Sequence, residues 1–191
     1  MDALAHCLEA LCVNAYHPMA DGIALEALRL VRDWLPVAYQ DGDNLEARAH
    51  MMAAATMGAT AFQKGLGAIH SLSHPVGAVF DTHHGLTNAV FMPYVLAFNR
   101  PLLDERLTRL ARFLDLPGDG ADGVMEWVLA LRREIGIPHS LADLGVAESG
   151  VAELVALAEI DQARACNPRD LSTRDLTQLF IDAIRGEVSP G

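Results

Sequence analysis

The apolar residues of this chain recur at the spacing of an α-helix almost from end to end. From Ile23 they continue at Ala27, Leu30, Val31 and Trp34, which is the stripe of a half-buried helix. No segment alternates apolar and polar residues in a run rich in Val, Ile, Thr or aromatic residues, as a half-buried strand would. We therefore predict an all-α fold, a helical bundle with strand content near zero.

Capping residues and small residues predict details of several helices. Asn44 is a candidate N-cap for a helix whose inner face includes Ala55 and Gly58, and these small residues would let another helix approach closely. Near the C-terminus, Ser172 and Asp175 have the spacing of a capping box, with Asp in place of the usual Glu.

No repeat and no low-complexity tract divides the chain. The Pro- and Gly-rich stretch 117–123 (PGDGADG) is the best candidate for an internal joint, but the parts on either side are too short and too helical for independent domains. We predict one all-helical domain over residues 1–191. Its helical pattern starts at Asp2 with no strand, turn or cap before it, so we expect the chain to be a piece of something longer.

Charge and composition exclude several classes of partner. Lys and Arg number 14 against 25 Asp and Glu, a formal charge of −11, which repels nucleic acids and anionic lipid surfaces. No apolar run reaches the roughly 18 residues of a membrane span. No basic n-region with an apolar h-region opens the chain, so we expect no secretion. Three unevenly spaced cysteines fit free thiols in a reducing compartment. We expect a cytoplasmic protein without nucleic-acid or membrane partners.

Histidines are concentrated in one segment of the chain. His70 and His74 are four residues apart, so on a helix they share a face. Pro75 and Gly77 are expected to limit that helix. The following segment 81–85 (DTHHG) has the composition of a tight reversal.

That reversal would bring one of its two histidines, His83 or His84, back towards His70. At the start of the chain, Asp2 and His6 again have the i, i+4 spacing that points both side chains one way. A carboxylate and several imidazoles that converge on one point suit a divalent transition metal.

A structural interpretation of the same residues remains open. Taken alone, Asp2 is more typical of a helix cap and His6 of a hydrogen-bonded core histidine. The remaining histidines outside these segments are expected to be solvated: His17, His50 and His139.

Three motifs resemble those of one enzyme family. Residues 2–10 (DALAHCLEA) resemble the DALxHxxEA segment of the iron-containing (group III) alcohol dehydrogenases. Residues 65–85 (GLGAIHSLSHPVGAVFDTHHG) are similar to that family's GxGxxHxxxHxxG signature, which ends in HG. Residues 88–93 (NAVFMP) continue it, and 167–169 (NPR) resemble the family's late loop.

The resemblance implies a fold and a set of site residues. The family has an N-terminal nucleotide-binding α/β domain and a C-terminal all-helical domain that holds the metal, and this chain is similar to the second alone. The metal ligands fall on Asp2, His6, His70 and His84. His74 matches the catalytic histidine beside the nicotinamide, which binds the cofactor and is not a ligand.

The resemblance also implies cofactors and partners. Fe(II) is the expected ion, with Zn possible, and NAD or NADP would bind only with the missing domain. The substrate would be a small alcohol or aldehyde, and an uncovered apolar face would favour a homo-oligomer. Cys166 is expected to be an ordinary buried thiol, the alternative being a place at the substrate entrance.

Two other functions remain open at this point. The chain could be a free-standing helical metal-binding protein, or a degenerate helical interaction module in which the histidines are relics. Metal content separates them, because only the first would hold an ion tightly.

Overall fold

The computed structural model describes residues 1–118 and 120–189. In these residues the chain forms nine α-helices, joined by turns and short 3-10 segments, and no strand. The all-α prediction is therefore confirmed for the described residues. The helices are α1 (Asp2–Cys12), α2 (Pro18–Gln40), α3 (Leu45–Ala61), α4 (Ala68–Phe80), α5 (His84–Asn99), α6 (Asp104–Phe113), α7 (Gly120–Glu134), α8 (Val151–Glu159) and α9 (Thr173–Arg185).

Helix α5 lies at the centre of the bundle. It packs against α1, α4, α7 and α9, and its residues 87–99 are all buried. A helix that is apolar on every side, as this one is over most of its length, has to be enclosed by others. The ring of Phe91 meets that of Phe180 in α9 edge-on, with the ring centroids 5.7 Å apart. Helix α5 is thus a fixed support for any side chain at its N-terminus.

The first three helices form a layer in which α1 packs against both α2 and α3. The small residue predicted on α3 permits this contact, because a Cβ at Gly58 would lie 3.3 Å from His6 Cβ and 3.3 Å from the Ala3 carbonyl oxygen. Ala55, expected on the same inner face, is exposed instead, so that part of the prediction is wrong.

Both predicted caps are present. The Asn44 side chain accepts a hydrogen bond from the Ala47 amide at the start of α3. Ser172 and Asp175 form a reciprocal capping box at the start of α9, so Asp at the third helical position serves in place of Glu.

The predicted end of α4 is wrong. The helix continues through Pro75 and Gly77 to Phe80 and ends where Asp81 adopts the left-handed conformation, with φ 52°. A proline inside a helix costs about 3 kcal/mol. Burying the three side chains of Ile69, Leu72 and Val76 in this helix contributes about 1.5–3 kcal/mol each, which outweighs the cost.

Helices α6 and α7 pack against each other, and α7 begins at Gly120, within the Pro- and Gly-rich stretch 117–123. Asp119, inside that stretch, lies outside the described residues, so the predicted joint stays a prediction. Among the residues that the structure describes, no helix has both the length and the apolar character needed to cross a bilayer.

Candidate metal centre

Three helices that are far apart in sequence bring their polar residues to one place. Helix α1 packs against α5, and α4 packs against α5 from another direction. Their polar faces meet beside the N-terminus of α5. The residues concerned are Asp2, His6 and Glu9 on α1, His70 and His74 on α4, and His84 and Asn88 on α5.

Four of these side chains form a compact cluster. Asp2, His6, His70 and His84 each offer one nitrogen or oxygen atom, and these atoms all lie within 4.8 Å of one another. An Asp2 carboxylate oxygen lies 3.7 Å from His6 Nδ1, and the other lies 3.6 Å from His84 Nε2. The His70 ring centroid is 4.9 Å from that of His6 and 5.3 Å from that of His84.

A close approach of α1 to the start of α5 makes this arrangement possible. A Cβ at Gly85 would lie 3.0 Å from Asp2 Cβ, which is tighter than most real contacts of this kind, so a neighbouring atom would have to shift. Glycine therefore lets the Asp2 side chain sit beside His84 without displacement. At the start of α5, His84 therefore supplies an imidazole nitrogen, and Gly85 leaves room for the Asp2 side chain beside it.

The cluster is buried on one side and open on the other. The side chain of His70 is 1% exposed and that of His6 is 17% exposed. Asp2 and His84 are 41% and 44% exposed. A ligand would therefore approach from the side of Asp2 and His84.

Burial and neighbouring charges keep the cluster ready to donate electron pairs. Burial lowers the pKa of His6 and the pKa of His84, although the Asp2 carboxylate opposes this. For Asp2, burial raises the pKa, but the hydrogen bond from Asn88 and the neighbouring imidazoles outweigh it and leave the pKa below its ordinary value. At neutral pH these histidines are neutral and Asp2 is ionised.

The side chain of Asn88 connects three members of the cluster. Its Nδ2 lies 2.9 Å from Asp2 Oδ1, 3.2 Å from His70 Nε2 and 3.0 Å from His84 Nε2. Its Oδ1 accepts a hydrogen bond from the buried hydroxyl of Ser73, which fixes the orientation of the amide.

The nitrogen and oxygen atoms of the cluster fit a divalent cation. An amide nitrogen carries two hydrogens, so Asn88 can satisfy two of these three acceptors at a time. Three imidazole nitrogens and one carboxylate oxygen, crowded into one site with too few hydrogen-bond donors, form the ligand set that transition metals prefer.

The remaining sequence-predicted site residue, His74, lies at the open side. Its ring stacks on that of His84, with centroids 5.5 Å apart and the planes 14° from parallel. Its Nδ1 lies 2.8 Å from Asp161 Oδ2. A carboxylate only accepts hydrogen bonds, so Nδ1 carries the proton and Nε2 is the free nitrogen. His74 is 43% exposed and is not one of the four clustered side chains.

The turn left two histidines as candidates, and the structure separates them. His84 joins the cluster, whereas His83 is the N-cap of α5 and its Nδ1 accepts a hydrogen bond from the Leu86 amide. Two of the remaining histidines, His17 and His139, are exposed, as expected, and His50 is partly buried against the ring of Trp34.

Cys166 differs from the expectation of an ordinary buried thiol, because it is exposed. It lies at the end of the 3-10 segment Gln162–Cys166, which begins after Asp161 and packs against α4. The segment runs over the surface, so its last side chain faces solvent.

Three residues of the site were not predicted: Glu9, Asn88 and Asp161. Glu9 follows Asp2 by seven residues and Asn88 follows His84 by four, so helical spacing could have found both. Asp161 gives no such signal, because it comes from a turn far along the chain from His74.

Comparisons with known proteins agree with this fold. The model of the Fe-containing alcohol dehydrogenase family, C-terminal part, matches residues 1–184. The 4-hydroxybutyrate dehydrogenase of Cupriavidus necator is 42% identical over 94% of this chain and 49% of its own length. The NAD-dependent methanol dehydrogenase of Bacillus methanolicus is 36% identical over 96% of this chain and 50% of its own.

A crystal structure of a 1,3-propanediol oxidoreductase superposes with a TM-score of 0.92 at 31% identity, over 96% of this chain and 50% of the other. The chain thus spans about half the length of the relatives it matches. It belongs to the iron-containing alcohol dehydrogenase family, in which it corresponds to the C-terminal, all-helical part.

Proposed function

We propose that this chain is the metal-binding half of an iron-dependent alcohol dehydrogenase, which transfers a hydride between an alcohol or aldehyde and NAD(P). Asp2, His6, His70 and His84 would hold one Fe(II) ion. The observation that carries the proposal is the set of four donor atoms within 4.8 Å of one another. Family membership supports it.

A bound divalent ion supplies Lewis acidity towards the oxygen of an alcohol or carbonyl. The protein's part is to keep this site dry on one side and accessible on the other. His70 and His6 face the bundle, where water is excluded, and Asp2 and His84 border the open side. Exclusion of water strengthens charge stabilisation in such a site.

His74 is the residue of this chain that we assign to proton transfer and to contact with the nicotinamide. Its Nδ1 is held by Asp161, so Nε2 can accept a proton from a substrate hydroxyl. Its stacking on His84 keeps it beside the ligands without being one of them. An imidazole with one nitrogen held by a carboxylate and the other free has the arrangement of a general base.

The donor set does not itself reject zinc. One carboxylate and three imidazoles also suit Zn²⁺, which stands above Fe²⁺ in the Irving–Williams order. We therefore expect iron when the protein is loaded without competing metals, and zinc in some preparations.

The substrate class is an alcohol and aldehyde pair. The relatives are named for 4-hydroxybutyrate, methanol, 1,3-propanediol and butanol. These substrates share an alcohol group and little else, which supports the class and not a particular member. Free thiols at Cys7, Cys12 and Cys166 support a reducing, cytoplasmic location.

Metal analysis tests the proposal. The 191-residue chain is to be loaded with Fe²⁺ without oxygen, dialysed, and analysed for metal by mass spectrometry. We expect one retained ion per chain, whereas a chain that retains none would contradict the proposal.

Activity of the isolated chain gives a second test. We expect no NAD(P)-dependent alcohol oxidation by these 191 residues with added metal and cofactor, because the nucleotide-binding half of the relatives is not among them. Turnover by the purified chain would contradict the proposal that NAD(P) binds only with the other half of the enzyme.

The exposed apolar residues support association of the isolated chain with copies of itself. Leu45 and Met52 on α3 are 79% and 72% exposed, and Tyr16 and Met19 near the start of α2 are also exposed. We expect oligomers by light scattering. A monodisperse monomer would contradict this expectation.

A further inference from the structure

A buried carboxylate lies directly behind the cluster. Glu9 is 4% exposed, although it stands on the same face of α1 as Asp2 and His6. A buried charge is costly unless its oxygens are all hydrogen-bonded. The buried Glu9 carboxylate therefore needs hydrogen-bond partners, and each of its two oxygens has one.

The two partners are adjacent residues of α4. Glu9 Oε2 lies 2.6 Å from His70 Nδ1, and Glu9 Oε1 accepts a hydrogen bond of 2.6 Å from the Ile69 amide. The Ile69 amide belongs to the first turn of α4, where an N–H lacks a partner within the helix and a negative charge is favoured. Glu9 thus joins α1 to the start of α4.

These contacts determine which nitrogen of His70 carries the proton. A carboxylate can only accept, so Nδ1 of His70 must be the protonated nitrogen. The lone pair of Nε2 then points to the side of Asn88, whose Nδ2 lies 3.2 Å away. That is the tautomer a metal ligand needs if it binds through Nε2.

We propose that Glu9 is a positioning residue for the metal site: it holds His70 in the tautomer whose Nε2 lone pair is free to bind the ion. This inference rests on the function proposed above. Glu9 does so without occupying a coordination position, since its side chain reaches the far side of the ring. It also brings a second negative charge to the site, beside that of Asp2.

A glutamine at this position separates positioning from packing. Glu9→Gln keeps the size of the side chain but replaces one acceptor by an NH₂ donor. Because the Ile69 amide can only donate, the oxygen of Gln is needed there, and the NH₂ group then faces His70 Nδ1. His70 is driven to the opposite tautomer, with the proton on Nε2.

Zinc affinity is the first measurement. Kd for Zn²⁺ is to be measured at neutral pH by competition with a chelator for the unsubstituted chain, Glu9→Gln and Glu153→Gln. The last makes the same change at an exposed position of α8. We expect Glu9→Gln to bind about 10- to 100-fold more weakly, the usual effect of losing such a partner, and Glu153→Gln to bind as the unsubstituted chain does.

The tautomer of His70 is the second measurement, and it needs no metal. Two-dimensional ¹H–¹⁵N NMR of the metal-free chain is expected to show the proton of His70 on Nδ1, and in Glu9→Gln on Nε2. A residue that only packs the two helices together would not change this signature.

The outcomes separate the inference from the proposed function. If the unsubstituted chain binds no Zn²⁺ and no Fe²⁺, the proposed function fails. If it binds tightly and Glu9→Gln binds equally tightly, the positioning role is overturned. If Glu9→Gln does not fold, the NMR spectrum of the unsubstituted metal-free chain gives the test. A proton on Nε2 of its His70 overturns the inference, and a proton on Nδ1 supports it.

Discussion

The two sides of the cluster are built differently. On the buried side, His70 is 1% exposed and both of its ring nitrogens have a protein neighbour, Glu9 at one and Asn88 at the other. On the open side, Asp2 and His84 are more than two-fifths exposed. One side is fixed by its surroundings, and the other is free to meet a ligand.

The two histidines His70 and His84 therefore contribute differently to the protein. His70 is part of the bundle as well as of the site, so replacing it disturbs both. His84 stands at the exposed start of α5, so replacing it disturbs the site alone. Substitutions on the two sides should therefore separate metal binding from stability.

The largest effect is expected when both sides are removed together. His70→Ala combined with His84→Ala should abolish the bound ion, because only one imidazole and one carboxylate of the cluster remain. His50→Ala with His139→Ala removes two imidazoles outside the cluster and should retain it. Metal analysis after dialysis checks both, and an ion held by the first double variant would show that these are not its ligands.

Stability of the metal-free chain should separate the two histidines next. His70→Ala leaves one oxygen of the buried Glu9 carboxylate without its hydrogen-bond partner, and such a loss at a buried charged group costs about 3 kcal/mol or more. His84→Ala removes an exposed side chain and should change the free energy of unfolding by less than about 0.5 kcal/mol. Urea denaturation measures both, and equal losses would contradict the comparison.

The close approach at the open side gives a smaller effect. Gly85→Ala would put a Cβ 3.0 Å from Asp2 Cβ, and displacing such a contact costs about 1–3 kcal/mol. We expect the affinity for Zn²⁺ to fall about tenfold or more. Gly22→Ala in α2 is the matched control, since a Cβ there meets nothing within 4 Å. Unchanged affinity in Gly85→Ala would mean that Asp2 is not held by this contact.

Lowering the pH should reduce the stability of the metal-free chain, because His6 and His84 are neutral in the folded state. The folded-state pKa of His6 and that of His84 are lowered, chiefly by burial, so the unfolded chain takes up their protons first. Below the unfolded value of about 6.5, the metal-free chain should lose stability as the pH falls towards the folded values. In His84→Ala part of this slope should disappear, as denaturation at several pH values would show. His50→Ala is the control for the loss of an imidazole, and an unchanged slope in His84→Ala would contradict this cause.

The smallest effect is expected at His74. It stacks on His84 but is not one of the four clustered side chains, so His74→Ala should leave the affinity of the isolated chain for Zn²⁺ unchanged. Calorimetric titration measures this. A loss of binding as large as in His84→Ala would move His74 into the ligand set.

Sequence spacing predicted much of this site. The i, i+4 pairs on α1 and α4 and the turn before α5 depend on local geometry. In the structure Asp2, His6, His70 and His84 cluster, and His74 stacks on His84 beside them. Local geometry also determines caps, which is why those at Asn44 and Ser172 were predicted.

Sequence spacing did not predict features that depend on contacts between distant parts of the chain. Helix α4 passes through Pro75 because its neighbours bury it, and no local pattern reports that burial. Asp161 reaches His74 through packing of a surface turn on α4, and the exposure of Cys166 depends on the same turn.

The origin of the four clustered side chains on α1, α4 and α5 has a thermodynamic consequence. None of these helices can leave the bundle without breaking the cluster, so an ion that binds there binds the folded chain only. At a free concentration 100 times its Kd it would add about 2.7 kcal/mol to the folding equilibrium. The bound cation would stabilise the whole domain, and the free concentration of metal in the surroundings would set the fraction of chains that is folded.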